Sequence, residues 1–359
     1  MAKRWTVAVI GCGIGRSHIE EGYACLPAQF EVRALCDLNQ ERLATVGDEF
    51  SVPRRTTSFD EVLAMADIDI VDIATPPGLH FSQTKAALAA GKQVVCEKPL
   101  VGSLAEVDQL AAIEASARGR LMPIFQYRYG DGLQKAKRIV ELGLAGKPYL
   151  ATIETAWQRG AKYYAVPWRG RWETELGGAL LTHAIHAHDM LSCLMGDIAS
   201  VFARTATRIN NIEVEDCAVA SLQMTSGALA SLSITLGSAK EISRLRLCFE
   251  HVTFESSLAP YAPGDDPWQI IPTSPEAGAR FAAALEGWSH VPSRFEGLMA
   301  AYHRALESGG PLPVTLADAW RSLELITALY HSAETGEPVQ LPIAAYHPKY
   351  RGWRPLDRS

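Results

Sequence analysis

The sequence has no excess of positive charge, no long apolar run and no paired cysteines. Its 34 Lys and Arg stand against 40 Asp and Glu, a formal charge of −6, so no electrostatic feature draws it to nucleic acid or to an anionic membrane surface. No stretch approaches the ~18 consecutive apolar residues of a membrane span. The start, Met1-Ala2-Lys3-Arg4, is basic, but the apolar run behind it (Trp5–Ile10) breaks at once into glycines, too short for a secretory leader. The cysteines (Cys12, Cys25, Cys36, Cys96, Cys193, Cys217 and Cys248) are odd in number and contain no C-x-x-C pair. That pattern excludes a zinc knuckle and reads as small buried side chains in a reducing compartment, not as a disulfide frame. A cytoplasmic protein is expected. Internal repeats and low-complexity segments are also absent.

What is present is a chain of 359 residues, 48% hydrophobic and 21% charged, enough for two domains with real cores. In the first third, short β-branched runs (Trp5–Ile10, Glu31–Cys36, Ile70–Ala74, Gln93–Cys96, Leu121–Phe125) alternate with helical patterns (Ser17–Leu26, Gln40–Phe50, Phe59–Met65, Leu79–Ala90, Leu104–Ala117). Such alternation specifies a parallel sheet covered on both faces, an α/β Rossmann-type domain. The pattern changes near residue 123. Helices are expected at Gly132–Leu142 and Leu180–Met195, with a strand at Tyr149–Thr155. The period then switches to two: Ala218, Ala220, Leu222 and Met224 share one face, and Thr225-Ser226-Gly227 turns the chain into Ala228–Leu236. Leu245–Phe249 and Val252–Phe254 continue an antiparallel meander, and helices return at Arg294–Glu307 and Ala317–Ser332. Residues 257–275 read as an irregular excursion, and the basic, aromatic tail from His347 as a segment that packs back or frays. The expected division is 1–123, a dinucleotide-binding domain, and 124–359, an α+β domain with an open, mainly antiparallel sheet.

The first strand runs into Gly11-Cys12-Gly13-Ile14-Gly15. A glycine turn between strand and helix lets backbone approach a pyrophosphate. The spacing is one residue shorter than G-x-G-x-x-G, and alone it is equally a tight βα turn. Asp37 ends the second strand, where a carboxylate accepts hydrogen bonds from ribose hydroxyls and repels a 2′-phosphate, favouring NAD over NADP. The competing reading of Asp37 is a helix N-cap, and Arg33 and Arg42 are near enough to hold a phosphate. Thr75-Pro76-Pro77, with His80 opening the next helix, forms a stiff loop at a strand's carboxyl end, where ligands bind in this sheet type.

Glu97-Lys98-Pro99, after Val94-Val95-Cys96, resembles the E-K-P signature of the Gfo/Idh/MocA family of sugar and inositol dehydrogenases. The resemblance runs from about residue 5 to 342. It includes Ala74-Thr75-Pro76-Pro77-Gly78-Leu79-His80, Ala86–Cys96, Tyr127-Arg128, Trp168-Arg169, Gly177-Gly178-Ala179-Leu180 through His186 and Asp189, and Ser332-Ala333-Glu334-Thr335-Gly336. It implies that Lys98 lies beside the nicotinamide and contacts the reacting oxygen, with His186 near the same carbon. The same resemblance implies that Gln126, Trp168 and Arg169 line the cofactor or substrate pocket. It also implies a homodimer or homotetramer built through the open sheet.

Oxidising a carbinol removes a hydride and a proton, so a cationic group and a base are both useful. Lys98 suits the first role, with Glu97 beside it, and His186 the second. On a continuous helix His183, His186 and Asp189 share a face, and Asp189 would hold the imidazole in one tautomer. Many polyol-oxidising members of the family carry an aspartate where this chain has Thr182, which can orient substrate but cannot act as a carboxylate base. The proton acceptor therefore stays open between His183 and His186. The same histidines invite a metal reading, but His188 points elsewhere on a regular helix, and no metal is expected. In 157–172, Trp157, Tyr163, Tyr164, Trp168 and Trp172 alternate with Arg159, Lys162, Arg169 and Arg171, a pattern that fits sugar stacking and an interface equally. The expected activity is hydride transfer between NAD and a sugar, sugar derivative or cyclitol. Two alternatives are a glycosidase or epimerase that oxidises its substrate transiently on retained NAD, and a non-catalytic sensor on the same fold.

Overall fold

A computed structural model describes residues 3–355, so Met1 and Ala2 of the basic start lie outside the described residues, as do residues 356–359. The chain divides into two compact units, residues 1–125 with 295–319, and residues 126–294 with 320–359. A single cut near residue 123 therefore misses one feature. The segment 295–319, which sequence reading assigns to the second domain, belongs with the first. Its core residues Phe295, Leu298, Met299 and Tyr302 are fully buried.

The first unit holds β1 (Trp5–Ile10), α1 (Gly15–Glu21), β2 (Phe30–Cys36), α2 (Gln40–Glu49), β3 (Arg54–Thr56), α3 (Phe59–Ala64), β4 (Ile70–Ile73), α4 (His80–Ala89), β5 (Gln93–Cys96), α5 (Leu104–Glu114) and β6 (Leu121–Pro123). The sheet order is β3-β2-β1-β4-β5-β6, all parallel. Chain direction across the sheet reverses between β1 and β4, the switch point where such sheets open a crevice at their carboxyl edge. Val7, Ala8 and Val9 of β1, Ile70, Val71 and Ile73 of β4 and Val94–Cys96 of β5 have no exposure, as a sheet covered on both faces requires. The helices start where short polar side chains accept a first-turn N–H: Asn39 from Arg42, Ser58 from Glu61 and Ser103 from Glu106. Strand β3 escapes sequence reading because Arg54-Arg55-Thr56 carries no apolar pattern; it is an edge strand held by its register on β2.

The second unit follows with α6 (Asp131–Glu141), β7 (Pro148–Gln158), α7 (Ala161–Tyr164), α8 (Ala179–Thr182), α9 (Ile185–Met195), β8 (Ile198–Ala206), β9 (Cys217–Met224), β10 (Leu229–Thr235), β11 (Gly237–Phe249), β12 (Val252–Glu255), β13 (Gln269–Pro272) and α10 (Pro275–Ala284). Helix α11 (Arg294–Ser308) returns to the first unit, α12 (Leu316–Thr335) leads out of it, and β14 (Val339–Gln340) follows. The sheet order is β13-β12-β11-β7-β10-β9-β8-β14. It is antiparallel except between β7 and β10, which run parallel. Along β10, Ala230, Leu232 and Ile234 are buried while Leu229, Ser231 and Ser233 face out, the alternation of a sheet packed on one side. The open face carries apolar side chains at its middle: Leu150, Val219 and Leu229 are 43%, 56% and 55% exposed.

Two expectations are corrected here. The excursion at 257–275 is not structureless: its end forms β13, an edge strand on β12, and Ser274 and Pro275 then open α10. Pro272, the last residue of β13, fits because an edge strand can lack a ladder donor. The expected helix Leu180–Met195 is broken. Helix α8 stops at Thr182, the Ala184 N–H reaches back to the Ala179 carbonyl at 2.9 Å, and α9 begins at Ile185. Thr182 donates its hydroxyl to the Gly178 carbonyl at 2.9 Å, a local bond that competes with helix continuation. The tail packs back: Trp353 is buried and its indole N–H donates to the Leu176 carbonyl.

Candidate active site

In the first unit the residues singled out from sequence stand at the carboxyl ends of β2, β1, β4 and β5, neighbours in the sheet. Gly11 follows β1 with φ +91°, and a Cβ there would lie 2.6 Å from the Ala74 carbonyl oxygen. Only glycine serves at such a position. At Gly15 a Cβ would meet Val9 at 2.7 Å, which sets how closely α1 packs on the sheet. Gly13 differs. Its missing Cβ faces nothing within 4 Å. The protein's own packing does not require that glycine, and the open space beside it has room for a pyrophosphate close to backbone. This open cradle fits the dinucleotide.

Asp37 locks the turn. Its carboxylate accepts from the Cys12 N–H at 2.7 Å and from the Asn39 N–H at 2.8 Å, with the Arg42 guanidinium at 3.4 Å. It is not the cap of α2; Asn39 is. Arg33 is engaged elsewhere, with Glu31 at 2.7 Å and Asp67 at 3.1 Å. Burial, followed by the charge of Asp37, pushes the Cys12 thiol up to about 12, so it stays a neutral wall of the turn, with Ile14 exposed beside it. After β4, Thr75 donates its hydroxyl to Gln83 at 2.6 Å. Pro76 and Pro77 lead into a single tight turn before α4. The ring nitrogens of His80 lie 2.7 Å from the Thr75 carbonyl and 2.8 Å from the Pro99 carbonyl, tying this loop to the loop after β5. Burial lowers the pKa of His80 against the pull of those two carbonyls.

That second loop is Glu97-Lys98-Pro99. Glu97 is buried and Lys98 half-buried. The Lys98 backbone N–H donates to Oε2 of Glu97 at 2.8 Å. Oε1 of Glu97 lies 3.0 Å from Nε2 of His18, whose Nδ1 is 2.9 Å from Asp72. Sequence reading missed His18 and Asp72, since neither belongs to a motif and they lie far apart along the chain.

In the second unit, Gln126 is buried at the start of a short turn through Arg128. Tyr127 stacks on His186 with centroids 4.1 Å apart. Asp189, expected to orient that imidazole, receives two bonds from Arg128, at 2.6 Å from Nε and 2.5 Å from Nη2. Its carboxylate therefore has a cationic partner of its own. The break after α8 also separates His183 from the α9 register. His183 turns toward Trp157 and Tyr163, at 5.4 Å and 5.6 Å between centroids, and its Nδ1 meets the Thr182 hydroxyl at 2.8 Å. Arg169 lies over Tyr163 at 3.8 Å and over Trp168 at 4.3 Å, touches the Tyr163 hydroxyl and pairs with Glu175. The aromatic segment thus joins Tyr163, Trp168, Arg169, Thr182 and His183 in one cluster, and His186 packs on Tyr127 instead. His188 is fully buried on α9, where burial pushes its pKa down to about 3. No group of three or more His, Cys, Asp or Glu among the described residues could hold a metal ion, and no helix among them is long and apolar enough to cross a membrane.

Also unforeseen is what holds the segment in place. Glu215 accepts from the N–H groups of Gly178 at 3.2 Å and Leu180 at 2.9 Å. A Cβ on Gly178 would fall 1.9 Å from the Glu215 carbonyl oxygen, so the glycine pair before α8 permits this approach.

Two models of one family cover more than half of the chain. The NAD-binding Rossmann fold of the Gfo/Idh/MocA oxidoreductases matches residues 5–125, and their C-terminal domain matches residues 133–255. D-apiose dehydrogenase of Paraburkholderia graminis is 26% identical over 361 residues, covering 94% of this chain and 90% of that protein. Levoglucosan dehydrogenase of Pseudarthrobacter phenanthrenivorans is 30% identical over 213 residues, 56% of this chain and 54% of that protein. The WlbA dehydrogenase of Bordetella pertussis, solved in complex with NADH and UDP-GlcNAcA, is 28% identical with a TM-score of 0.83 over 95% of this chain and 100% of its own. A parallel sheet with a glycine turn, a cradle open for pyrophosphate, the Glu97-Lys98-Pro99 loop and these matches lead to one conclusion: the chain belongs to the Gfo/Idh/MocA family of NAD-binding oxidoreductases.

Proposed function

We propose that this protein is an NAD-dependent dehydrogenase, or the matching reductase, that interconverts a hydroxyl and a keto carbon of a sugar, sugar derivative or cyclitol. The observation that carries the reading is the presentation of Lys98 from a carboxylate-strapped loop at the carboxyl edge of the sheet that also holds the glycine turn. Relatives that act on D-apiose and levoglucosan, and one solved with a nucleotide-linked sugar, support the substrate class. Bound NAD supplies the hydride acceptor in the oxidative direction. The Lys98 ammonium stabilises negative charge on the reacting oxygen, worth several kcal/mol in a dry site. The His186 imidazole takes the hydroxyl proton, and its ring is steadied by the face of Tyr127. Thr182, His183, Tyr163 and Arg169 bind sugar hydroxyls and C–H faces; Gln126 and Trp168 line the same pocket. Asp37 takes the ribose hydroxyls, and the engagement of Arg33 by Glu31 and Asp67 leaves NAD favoured over NADP. The open face bearing Leu150, Val219 and Leu229 is the surface through which the subunits pair.

The test is a panel of D-apiose, levoglucosan, D-xylose, myo-inositol and UDP-GlcNAcA with NAD and NADP, followed by the absorbance of reduced nicotinamide. Turnover with NAD on one of them supports the reading. NAD binding with no turnover across the panel would favour a sensor. Product formed with no net NADH release would favour transient oxidation.

A further inference from the structure

His18 sits on α1, just beyond the glycine turn, with no exposure. Both of its ring nitrogens face carboxylates: Nδ1 lies 2.9 Å from Oδ2 of Asp72 and Nε2 lies 3.0 Å from Oε1 of Glu97. Asp72 is on β4 and fully buried; Glu97 follows β5 and is 4% exposed. A neutral imidazole has one N–H and can satisfy only one of these acceptors. The other would face a lone pair, and two carboxylates would share a buried site with only the charge of Lys98, beside Glu97, to offset them, which costs several kcal/mol per ion. An imidazolium removes both conflicts. The other groups packed around the ring do not compete. Phe295 lies against it at 4.6 Å, while Tyr23 and Tyr302, which neighbour Asp72, are phenols that burial keeps neutral.

The free oxygen of Glu97 receives the backbone N–H of Lys98 at 2.8 Å. The chain of contacts therefore runs from the helix after the glycine turn, through His18 and Glu97, to the residue that carries the ammonium. We infer that His18 is a positioning residue for Lys98: as a buried imidazolium it keeps Glu97 ionised and oriented, so that Glu97 fixes the Lys98 backbone relative to the glycine-turn helix. The inference rests on the proposed role of Lys98 but can fail separately from it. Electrostatics agrees with the geometry. Burial presses His18 downward, yet Asp72 and Glu97 overcome it and push the imidazole up to about 10, while His18 overcomes the burial of Glu97 and holds that carboxyl below its usual range.

Two readouts need no turnover. In histidine-selectively 15N-labelled full-length protein, one imidazole should keep both nitrogens protonated at pH 8, and that signal should be absent from His18→Gln. Amide hydrogen exchange at Lys98 should accelerate about tenfold or more in His18→Gln, with β1 unchanged, as the strap from Glu97 loosens. Under the panel assay the same variant should lose about tenfold or more in kcat with KM for NAD within about threefold, since misplacement acts on the reacting geometry. A neutral His18 ring at pH 7 would overturn the inference. So would unchanged Lys98 protection in a folded His18→Gln. Should His18→Gln not fold, Asp72→Asn decides: removing one of the two anions must lower the pH at which His18 deprotonates, and an unchanged titration refutes the arrangement. A wild type inactive on every sugar, yet with the charged ring and the protected Lys98 amide, would sink the dehydrogenase reading and leave this link standing.

Discussion

The hydroxyl of Tyr330 lies 3.0 Å from each oxygen of Glu215, and all three atoms are buried. Trp172 and Trp353 flank the Tyr330 ring at 5.3 Å and 6.1 Å. Because Glu215 also holds Gly178 and Leu180, this cluster sets the entry into the segment that carries Thr182, His183 and His186. Tyr330→Phe removes the hydroxyl and leaves a buried carboxyl short of a donor, which costs about 1–3 kcal/mol. Urea unfolding should show a lower midpoint with an unchanged slope.

Burial pushes the Glu215 carboxyl up to about 7, against its hydrogen bonds from backbone and Tyr330. A carboxyl raised above its unfolded value contributes stability that is complete below that value and is lost as pH rises through the folded one. The wild type should therefore lose stability relative to Glu215→Gln between pH about 4.5 and about 7. Parallel melting curves of the two proteins from pH 4.5 to 8 check this; a constant gap would refute it.

His18 titrates in a different window. Its folded value is about 10 against an ordinary 6.5, so its contribution is full below pH 6.5 and fades as pH rises to about 10. Wild-type protein should lose stability across that alkaline range, and His18→Gln should lose none of that component. Chemical unfolding at stepped pH values measures both.

Gly11 and Gly13 separate folding from binding. Gly11→Ala drives a Cβ to 2.6 Å from a carbonyl oxygen at φ +91°, and the protein should be destabilised by roughly 1–3 kcal/mol or more. Gly13→Ala meets nothing within 4 Å, so its melting temperature should hold while its affinity for NAD falls about tenfold or more. Calorimetric titration with NAD alongside thermal melts reads both.

Replacing Lys98 by Ala should reduce kcat by about 10²- to 10⁴-fold while NAD still binds, because the lost ammonium acts on charge that develops in the reaction. Full activity in Lys98→Ala would remove the residue from the chemistry. On the open sheet face, Leu229→Glu should dissociate subunits paired there, a change in sedimentation that leaves circular dichroism unaltered.

Much of this was legible in the linear order of residues. Strands β1 and β5 fall where their β-branched runs predict them, at Trp5–Ile10 and Gln93–Cys96, and Ala218, Leu222 and Met224 of β9 share the buried face that a period of two assigns them. The glycine turn and Asp37 were identifiable because the constraint on each is local, a positive φ and a strand end, and the Glu97-Lys98-Pro99 loop because it resembles a family signature. Where side-chain chemistry competes with local pattern, the reading failed. The apolar run 180–195 predicts one helix, but the Thr182 hydroxyl and the Ala184 N–H turn back on the preceding residues and break it.

Sequence alone determined the order of most elements and the place of the glycine turn, since periodicity and backbone constraint operate between near neighbours. Only the tertiary structure decided that residues 18, 72 and 97 share one charge cluster, that residues 295–319 complete the first unit, and that residues 215 and 330 clamp the segment bearing His183 and His186. Those relationships join positions tens to hundreds of residues apart, and no local rule fixes the pairing of a buried charge with its counter-charge until the sheet has brought them together.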